Sequence, residues 1–453
     1  MKSSSPRYLA LALLKEVNQG GAYANLALPK LLQKSDLDPR DKAFTQELAF
    51  GAIRWQLTYD AIINSVSSRP VEAIDSELLN CLRIGAHQLL NMRVPPHAAI
   101  SETVDLVRQE CGEGPVGFAN GVLRRVSEKT LPEWIAKITA GKTDLVRQSL
   151  TYSHPEWIVS ALKQSLAADG LQDDLEQLLE TNNLSPKVNL VALPGLATRP
   201  ENSETTDLNQ FSPIGFSISK GNPELLTGFK EGFLRVQDEG SQLAALVLVD
   251  YMKPVEGEKW LDICAGPGGK AAILAAEAKL HSTTFTANEL HDHRAKLVRD
   301  ALKPFPAAHL TVGDGMEIGS KNPETFDRIL LDAPCTGLGA LRRRPEARWR
   351  KSNYDLKELT KLQFELLKSS YQALKPGGLL LYVTCSPHLS ETTAIIMKAS
   401  KELNVEVLNL SDFMNTKYFN GKLPAGRKTV QLHTQRDGTD SMFMALMTKP
   451  VRQ

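Results

Sequence analysis

The sequence predicts a multidomain protein: an all-α helical bundle over residues 1–135, a small α+β connecting subdomain over 150–235, and a doubly wound α/β domain over 236–450. Three observations carry this. At 453 residues the chain exceeds one ordinary hydrophobic core, so two or three domains are expected. Up to about Glu128 apolar residues recur at three-, four- and seven-residue steps, whereas from Val236 onward apolar runs of strand length alternate with helical stretches. Within that second pattern, Trp260 to Ala276 reads as a buried strand, a Gly266-Pro267-Gly268-Gly269 turn and an Ala/Leu-rich helix.

Composition narrows the function classes. A hydrophobic content of 42% with 23% charged residues is that of a globular domain protein, not a disordered chain. The net charge of +1 excludes a bulk polycation, so any nucleic-acid surface must be a local patch. No apolar run approaches membrane-spanning length and Met1 to Pro6 lacks a signal core, so a cytoplasmic protein with no membrane partner is expected. The cysteines, Cys81, Cys111, Cys264, Cys335 and Cys385, are odd in number and lack metal-ligand spacing. Reduced thiols and no metal are expected.

In the first region Phe44, Leu48, Trp55, Tyr59 and Ile62 keep helical spacing, as do Leu78, Leu82 and Leu89, and then Ile100, Val104 and Val107. Gly20-Gly21, Pro39, Pro70 and Pro95-Pro96 should break the helices. His87 and His97 are isolated and read as structural or solvated, while Cys81 and Cys111 fall on apolar faces as core thiols. The connecting region starts with a helical stretch from His154 to about Glu180, followed by Val188, Leu190, Val191 and Leu193 as short strands and turn-rich chain to Gly232.

The last domain opens at Val236 to Gln242, whose acidic and hydroxyl residues suit a helix start before Leu243 to Val249. Strands are predicted at the opening turn, over Thr283 to Asn288, Leu310 to Val312, Arg328 to Leu331 and Leu379 to Thr384, with helices over His291 to Leu302 and Leu356 to Leu374. Ligands of such sheets bind at the carboxyl ends of strands, and Glu289, Asp314, Asp332 and Cys385 each sit just past one.

Those positions carry chemistry. Glycines in the first turn let the backbone approach a ligand, and a new helix N-terminus favours negative charge. Glu289 can accept from both hydroxyls of a ribose, and Asp314 can face an adenine amine; together with the turn they make an adenosine-shaped site. Either carboxylate alone also reads as a helix cap or a loop charge. NAD is an alternative guest, but Cys264-Ala265-Gly266-Pro267-Gly268-Gly269-Lys270 departs from the dinucleotide fingerprint. Cys264 reads as a packing or cofactor-facing residue. Cys335 and Cys385, at two strand ends, lie where a thiolate would meet a ligand. Thiolate attack on carbon 6 of a pyrimidine turns carbon 5 into an enamine carbon able to take a methyl group. A base must then remove the carbon 5 proton, and a carboxyl group can donate to ring nitrogen 3.

Leu261 to Lys270, Leu331 to Gly339 with Arg343-Arg344-Pro345-Glu346, and Val383-Thr384-Cys385-Ser386-Pro387 resemble the motifs of the S-adenosylmethionine-dependent RNA cytosine-5 methyltransferases, which are Rossmann-like. Arg40 to Phe44, Gly51 to Trp55 and Phe118 to Arg125 resemble the RNA-binding domain of the antitermination factor NusB, so the chain is similar nearly end to end to the Sun (Fmu) branch, bacterial small-subunit ribosomal RNA methyltransferases. The resemblance implies Cys385 as nucleophile, Cys335 in product release and Asp332 at the base. It implies S-adenosylmethionine held by Cys264, Ala265, Gly266, Pro267, Gly268, Gly269, Lys270, Glu289, Asp314 and Asp332. It further implies small-subunit rRNA as partner, met here by an expected monomer. Gln431-Leu432 and Gly438-Thr439-Asp440 with Phe443 look like the family's closing segment.

Gly266 stands where the family usually has alanine and Thr336 where serine is common; Pro186 to Leu190 matches the family's Leu-Arg-Val-Asn segment only loosely. The basic stretch Leu341 to Lys351 reads by default as a solvated loop. Its place after Cys335 suggests phosphate contacts from Arg343, Arg344 and Arg348, with Trp349 stacking on a base or packing. A flipped or single-stranded target is expected. Open alternatives are the same chemistry on tRNA, a non-catalytic RNA-binding assembly factor, and an amino-group methyltransferase with structural cysteines. In the front region, a helical docking module is the alternative to RNA contact.

Overall fold

The computed structural model describes residues 5–219 and 221–451 and divides into two compact units. The first holds the chain up to Lys163, together with residues 173–184 and Leu341–Arg350; the second holds residues 164–172, 185–340 and the chain from Lys351 on.

The first unit is helical, as its periodicity predicts. Helices run over Pro6–Asn18, Ala24–Gln33, Pro39–Arg54, Gln56–Val66, Ser76–Leu90, Pro96–Cys111, Val116–Val126, Leu131–Thr139 and Asp144–Tyr152. Each predicted break separates two of them. Pro39 and Pro96 occupy first turns, where a missing N–H costs nothing, and Asp38 caps its helix by accepting from the Asp41 amide at 2.8 Å. Leu11, Leu14, Leu48, Ile53, Tyr59, Ile62, Leu82 and Leu106 form one core. Gly51 is needed where its helix meets the His87 ring, since a Cβ there would lie 2.0 Å from Nε2. His87 is structural: Tyr59 Oη lies 2.8 Å from Nδ1 and Glu47 3.3 Å from Nε2.

In the second unit, a small antiparallel sheet comprises β1 (Val188–Ala192), β2 (Thr206–Leu208), β3 (Gly215–Ile218) and β4 (Leu234–Val236) in the order β2-β3-β1-β4. Leu190, Ala192, Phe216, Ile218 and Leu234 give it a core of its own. The expected connecting subdomain over 150–235 is therefore split. Its helical part falls mostly with the first unit, and its strands group with the α/β domain that follows. Glu239 at the start of helix Glu239–Asp250 helps tie them, accepting from the amides of Phe211 and Ser212 at 2.6 and 2.8 Å.

The main sheet contains β5 (Lys259–Asp262), β6 (Thr284–Glu289), β7 (His309–Val312), β8 (Phe326–Asp332), β9 (Leu374–Thr384), β10 (Glu406–Val407), β11 (Thr429–Gln431) and β12 (Phe443–Thr448), in the order β10-β12-β9-β8-β5-β6-β7 with β11 on β12. The run β9-β8-β5-β6-β7 is parallel, as predicted. Beyond it the structure adds an antiparallel edge, β12 on β9 and β10 on β12, which the alternation of strands and helices does not predict. Strands buried on both faces account for the unbroken apolar runs. Leu261, Ile329, Leu331, Leu380 and Tyr382 pack on one side, and Trp260, Leu330, Leu379, Leu381 and Val383 on the other. The chain leaves β5 toward β6 and β7, then returns to β8 and β9 on its other side. The topological switch point therefore lies between the ends of β5 and β8, at Asp262 and Asp332.

Candidate active site

The turn after β5 has no room for a side chain at Gly266 or Gly268. A Cβ on Gly266 would lie 2.4 Å from Glu289 Oε2, and one on Gly268, where φ is +105°, would lie 2.5 Å from Ala301 Cβ. Helix Gly269–Leu280 starts there with no side-chain cap, leaving its first-turn amides for a ligand. Glu289, 2% exposed, accepts from the Gly266 amide at 3.0 Å and the His291 amide at 3.1 Å, so the second strand end is bound to the turn. Arg294 lies 3.6 Å from the same carboxylate and also donates to Gly266 O. Asn288 donates to Ile263 O and Gly313 O, both at 3.1 Å, joining the ends of the first three strands. Asp314 caps the short turn Gly315–Glu317 through the Met316 amide at 2.9 Å.

At the switch point Lys270 Nζ meets Asp332 Oδ2 at 2.7 Å. Burial opposes the ammonium, but the Asp332 charge and hydrogen bond, with Cys385 and Asp262, raise its pKa above the ordinary lysine value. Asp262 is 1% exposed and neither oxygen has a well-formed hydrogen bond. Burial, then the Asp332 charge, pushes its pKa up to about 8, against the opposing effects of Lys270 and the nearby Cys264 amide. The Cys264 thiol is pushed well up, first by burial and then by the charges of Asp262, Asp332 and Glu289. A thiol so held stays protonated, which a packing or cofactor-facing residue shares and a nucleophile does not.

The ends of β8 and β9 bring the remaining cysteines together: Cys335 Sγ lies 3.4 Å from Cys385 Sγ. The strands set this distance. Asp332 pairs with Val383 in the ladder, the Ala333 amide donates to Val383 O at 2.9 Å, and the Gly339 amide donates to Cys385 O at 2.8 Å. The Ser441 amide in turn donates to Gly339 O at 2.9 Å, which places the stretch between β11 and β12 against the thiol-bearing turns. The hydrogen bond to Cys385, burial, and the charges of Cys385, Glu391 and Asp332 hold the Cys335 thiol well above its ordinary pKa.

The predicted RNA-binding residues divide differently. Arg348 and Trp349 belong to the first unit. Arg348 is fully buried; it donates to Arg54 O and Asn183 Oδ1 at 2.8 Å, to Ser153 O at 3.2 Å and to Asn182 O at 2.8 Å, leaving no guanidinium face for phosphate. The Trp349 indole N–H donates to Ile53 O at 2.8 Å and its ring packs on the helical core. The short helix Ala347–Arg350 turns both inward, a direction that a run of charge does not reveal. Arg343 and Arg344 stay half-buried, Arg344 over the Tyr23 ring at 5.4 Å. Sequence reasoning also passed over Glu391, Gln363, Asn288, Arg294 and the role of Gly339. The hydroxyl residue after each cysteine, Thr336 and Ser386, was the available signal that a buried acceptor lies nearby.

These features define an S-adenosylmethionine-dependent methyltransferase fold with a thiol pair at the strand ends beside its switch point. The residues present fit that cofactor: the packed glycine turn and helix N-terminus suit a carboxylate, Glu289 suits a ribose, and the orphaned Asp262 with Asp332 suits a cationic amino acid carrying a sulfonium. Comparison with known proteins agrees. Residues 249–448 match the family described as 16S rRNA methyltransferase RsmB/F, and residues 4–128 match the NusB family. Ribosomal RNA small subunit methyltransferase B of an Enterobacter strain is 34% identical over 400 residues, covering 85% of this chain and 88% of that protein. The protein of the same name from Pseudomonas putida is 32% identical over 457 residues, covering 98% of each. The crystal structure of PH0851 superposes with a TM-score of 0.80 at 22% identity over 99% of both chains. The chain belongs to the RsmB/F methyltransferase family and carries a NusB domain in front. Among the described residues no helix is long and apolar enough to cross a membrane, and no cluster of three or more His, Cys, Asp or Glu could hold a metal ion.

Proposed function

We propose that this protein methylates carbon 5 of a cytosine in small-subunit rRNA through a covalent adduct between a cysteine and carbon 6. The observation that carries the reading is the 3.4 Å meeting of two thiols beside Lys270 and Asp332 at the strand ends where the cofactor fits. Bound S-adenosylmethionine supplies an electrophilic methyl group to carbon 5. Cys385, as thiolate, bonds to carbon 6 and makes carbon 5 nucleophilic. Asp332, its carboxylate held by Lys270, contacts the base. Cys335 assists loss of the carbon 5 proton, after which the bond from Cys385 to carbon 6 breaks and the aromatic ring returns. Glu289 and Asp314 hold the nucleoside of the cofactor and the Cys264 to Lys270 turn its amino-acid end. Arg343 and Arg344 contact RNA phosphate, the NusB-like domain adds RNA contact, and the enzyme works as a cytoplasmic monomer.

The names borne by the relatives favour rRNA over tRNA. The test is incubation of purified protein with labelled S-adenosylmethionine and either small-subunit rRNA or total tRNA, with bisulfite sequencing of the product. The reading expects 5-methylcytosine in the rRNA alone. Methylation of tRNA alone would replace the substrate, and label on an amino group would remove the cysteine chemistry.

A further inference from the structure

Glu391 lies on no strand end and in none of the motifs above, yet its side chain is fully buried and surrounded by donors. Oε1 accepts from the Thr336 amide at 2.8 Å and from Gln363 Nε2 at 3.0 Å; Oε2 accepts from Ser386 Oγ at 2.6 Å and from the Thr336 hydroxyl. Thr336 directly follows Cys335, and Ser386 directly follows Cys385. Gln363 also donates to Pro334 O at 2.8 Å, fixing the other flank of Cys335. The Glu391 carbonyl receives the Tyr382 hydroxyl at 2.8 Å, which anchors the residue to β9 itself. One carboxylate therefore joins the chain after each thiol, and each hydroxyl spends its single proton on it.

We propose that Glu391 is a positioning residue that locks the Cys335 turn and the Cys385 turn in register, so that the two thiols meet over one base. The inference rests on the cysteine roles proposed above for its consequence in catalysis. The register it sets is a property of the free protein. Strand pairing alone fixes the two backbones only as far as the ladder runs, to Asp332 and Val383 with the Ala333 amide. Beyond it the Gly339–Cys385 bond and the Glu391 carboxylate carry the alignment. A displacement of about 1 Å at reacting groups costs about a hundredfold in rate, so loss of this bridge should appear in turnover and not in cofactor binding.

The experiment uses the full chain, as wild type, Glu391→Gln and Glu391→Ala. Diamide oxidises neighbouring thiols to a disulfide while its N=N bond takes up the two hydrogens, and peptide mass spectrometry follows formation of the Cys335–Cys385 link. The same proteins are assayed for kcat, and for S-adenosylmethionine affinity by calorimetry. Glu391→Ala should slow disulfide closure at least about tenfold and kcat about a hundredfold, with cofactor Kd within about threefold of wild type. Glutamine keeps an acceptor for the Thr336 amide and lets the hydroxyls turn to accept, so Glu391→Gln should recover both rates to within about tenfold of wild type. Closure and turnover at wild-type rates in Glu391→Ala would overturn the proposal, as would a glutamine variant as impaired as alanine. Slowed closure in Glu391→Ala with no RNA methylation by wild type would remove the cysteine chemistry and leave the positioning role standing. Should Glu391→Ala fail to fold, Thr336→Val with Ser386→Ala removes both hydroxyl donors and must meet the same expectations.

Discussion

Asp262 is held in the folded protein at a cost that can be measured. Burial without a well-formed hydrogen bond, reinforced by Asp332, carries its pKa from 3.8 to about 8. Between those pH values the unfolded chain has lost the Asp262 proton and the folded chain has kept it. The unfolded state then binds fewer protons, so stability falls as pH rises. No penalty applies below the unfolded value; it grows by about 1.4 kcal/mol for each pH step and is complete, at about 6 kcal/mol, above the folded value. Asp262→Asn keeps the shape and removes the titration. The asparagine amide carries its own desolvation cost, but that cost does not vary with pH and cancels between two pH values. The stability of Asp262→Asn relative to wild type should therefore rise by about 4 kcal/mol between pH 5 and pH 8 and stay level beyond. Urea unfolding of both proteins at pH 5, 6, 7, 8 and 9, without cofactor, reads this directly. Parallel curves, with a pH-independent difference, would show that Asp262 is already ionised in the fold and that the switch point carries no orphaned carboxyl.

Three further outcomes follow from single contacts. Gly339→Ala would place a Cβ 2.0 Å from Ser441 O and 2.9 Å from Cys385 O, so both turns must move. Methylation should fall about a hundredfold while calorimetry finds S-adenosylmethionine affinity unchanged. Glu289→Ala removes a buried carboxylate that holds the Gly266 and His291 amides, and calorimetry should find the cofactor Kd raised about tenfold to a hundredfold. Arg348→Met leaves buried carbonyls of Arg54, Ser153 and Asn182 without their donor and should destabilise the helical unit by about 3 kcal/mol or more in calorimetric melting. The salt dependence of RNA binding should not change; a log–log slope smaller by about one would return Arg348 to the RNA surface.

The sequence disclosed what local chemistry dictates. Gly266 to Gly269 announced a turn, Pro39 and Pro96 announced breaks between helices, and the alternation of apolar strands with helices set Glu289, Asp314, Asp332 and Cys385 at strand ends, where they stand. Long-range packing stayed hidden. Arg348 and Trp349 looked like a basic surface because charge runs are usually solvated, and only the tertiary fold shows the carbonyls of Arg54 and Ile53 waiting for them. Glu391 gave no signal in the sequence because its four donors come from residues 336, 363 and 386, which no sequence window spans. The antiparallel β12 was missed for a simpler reason. The alternation of strand and helix that marks the parallel strands does not mark Phe443–Thr448, which pairs antiparallel with β9.

The central claim is that Cys385 attacks the base and Cys335 releases the product. A denaturing gel of wild type, Cys335→Ala and Cys385→Ala, after incubation with S-adenosylmethionine and small-subunit rRNA, tests it most directly. A protein–RNA band should accumulate in Cys335→Ala alone, while Cys385→Ala shows neither band nor methylation. A trapped band in Cys385→Ala would exchange the two roles, and full methylation without a band in both variants would contradict the covalent mechanism.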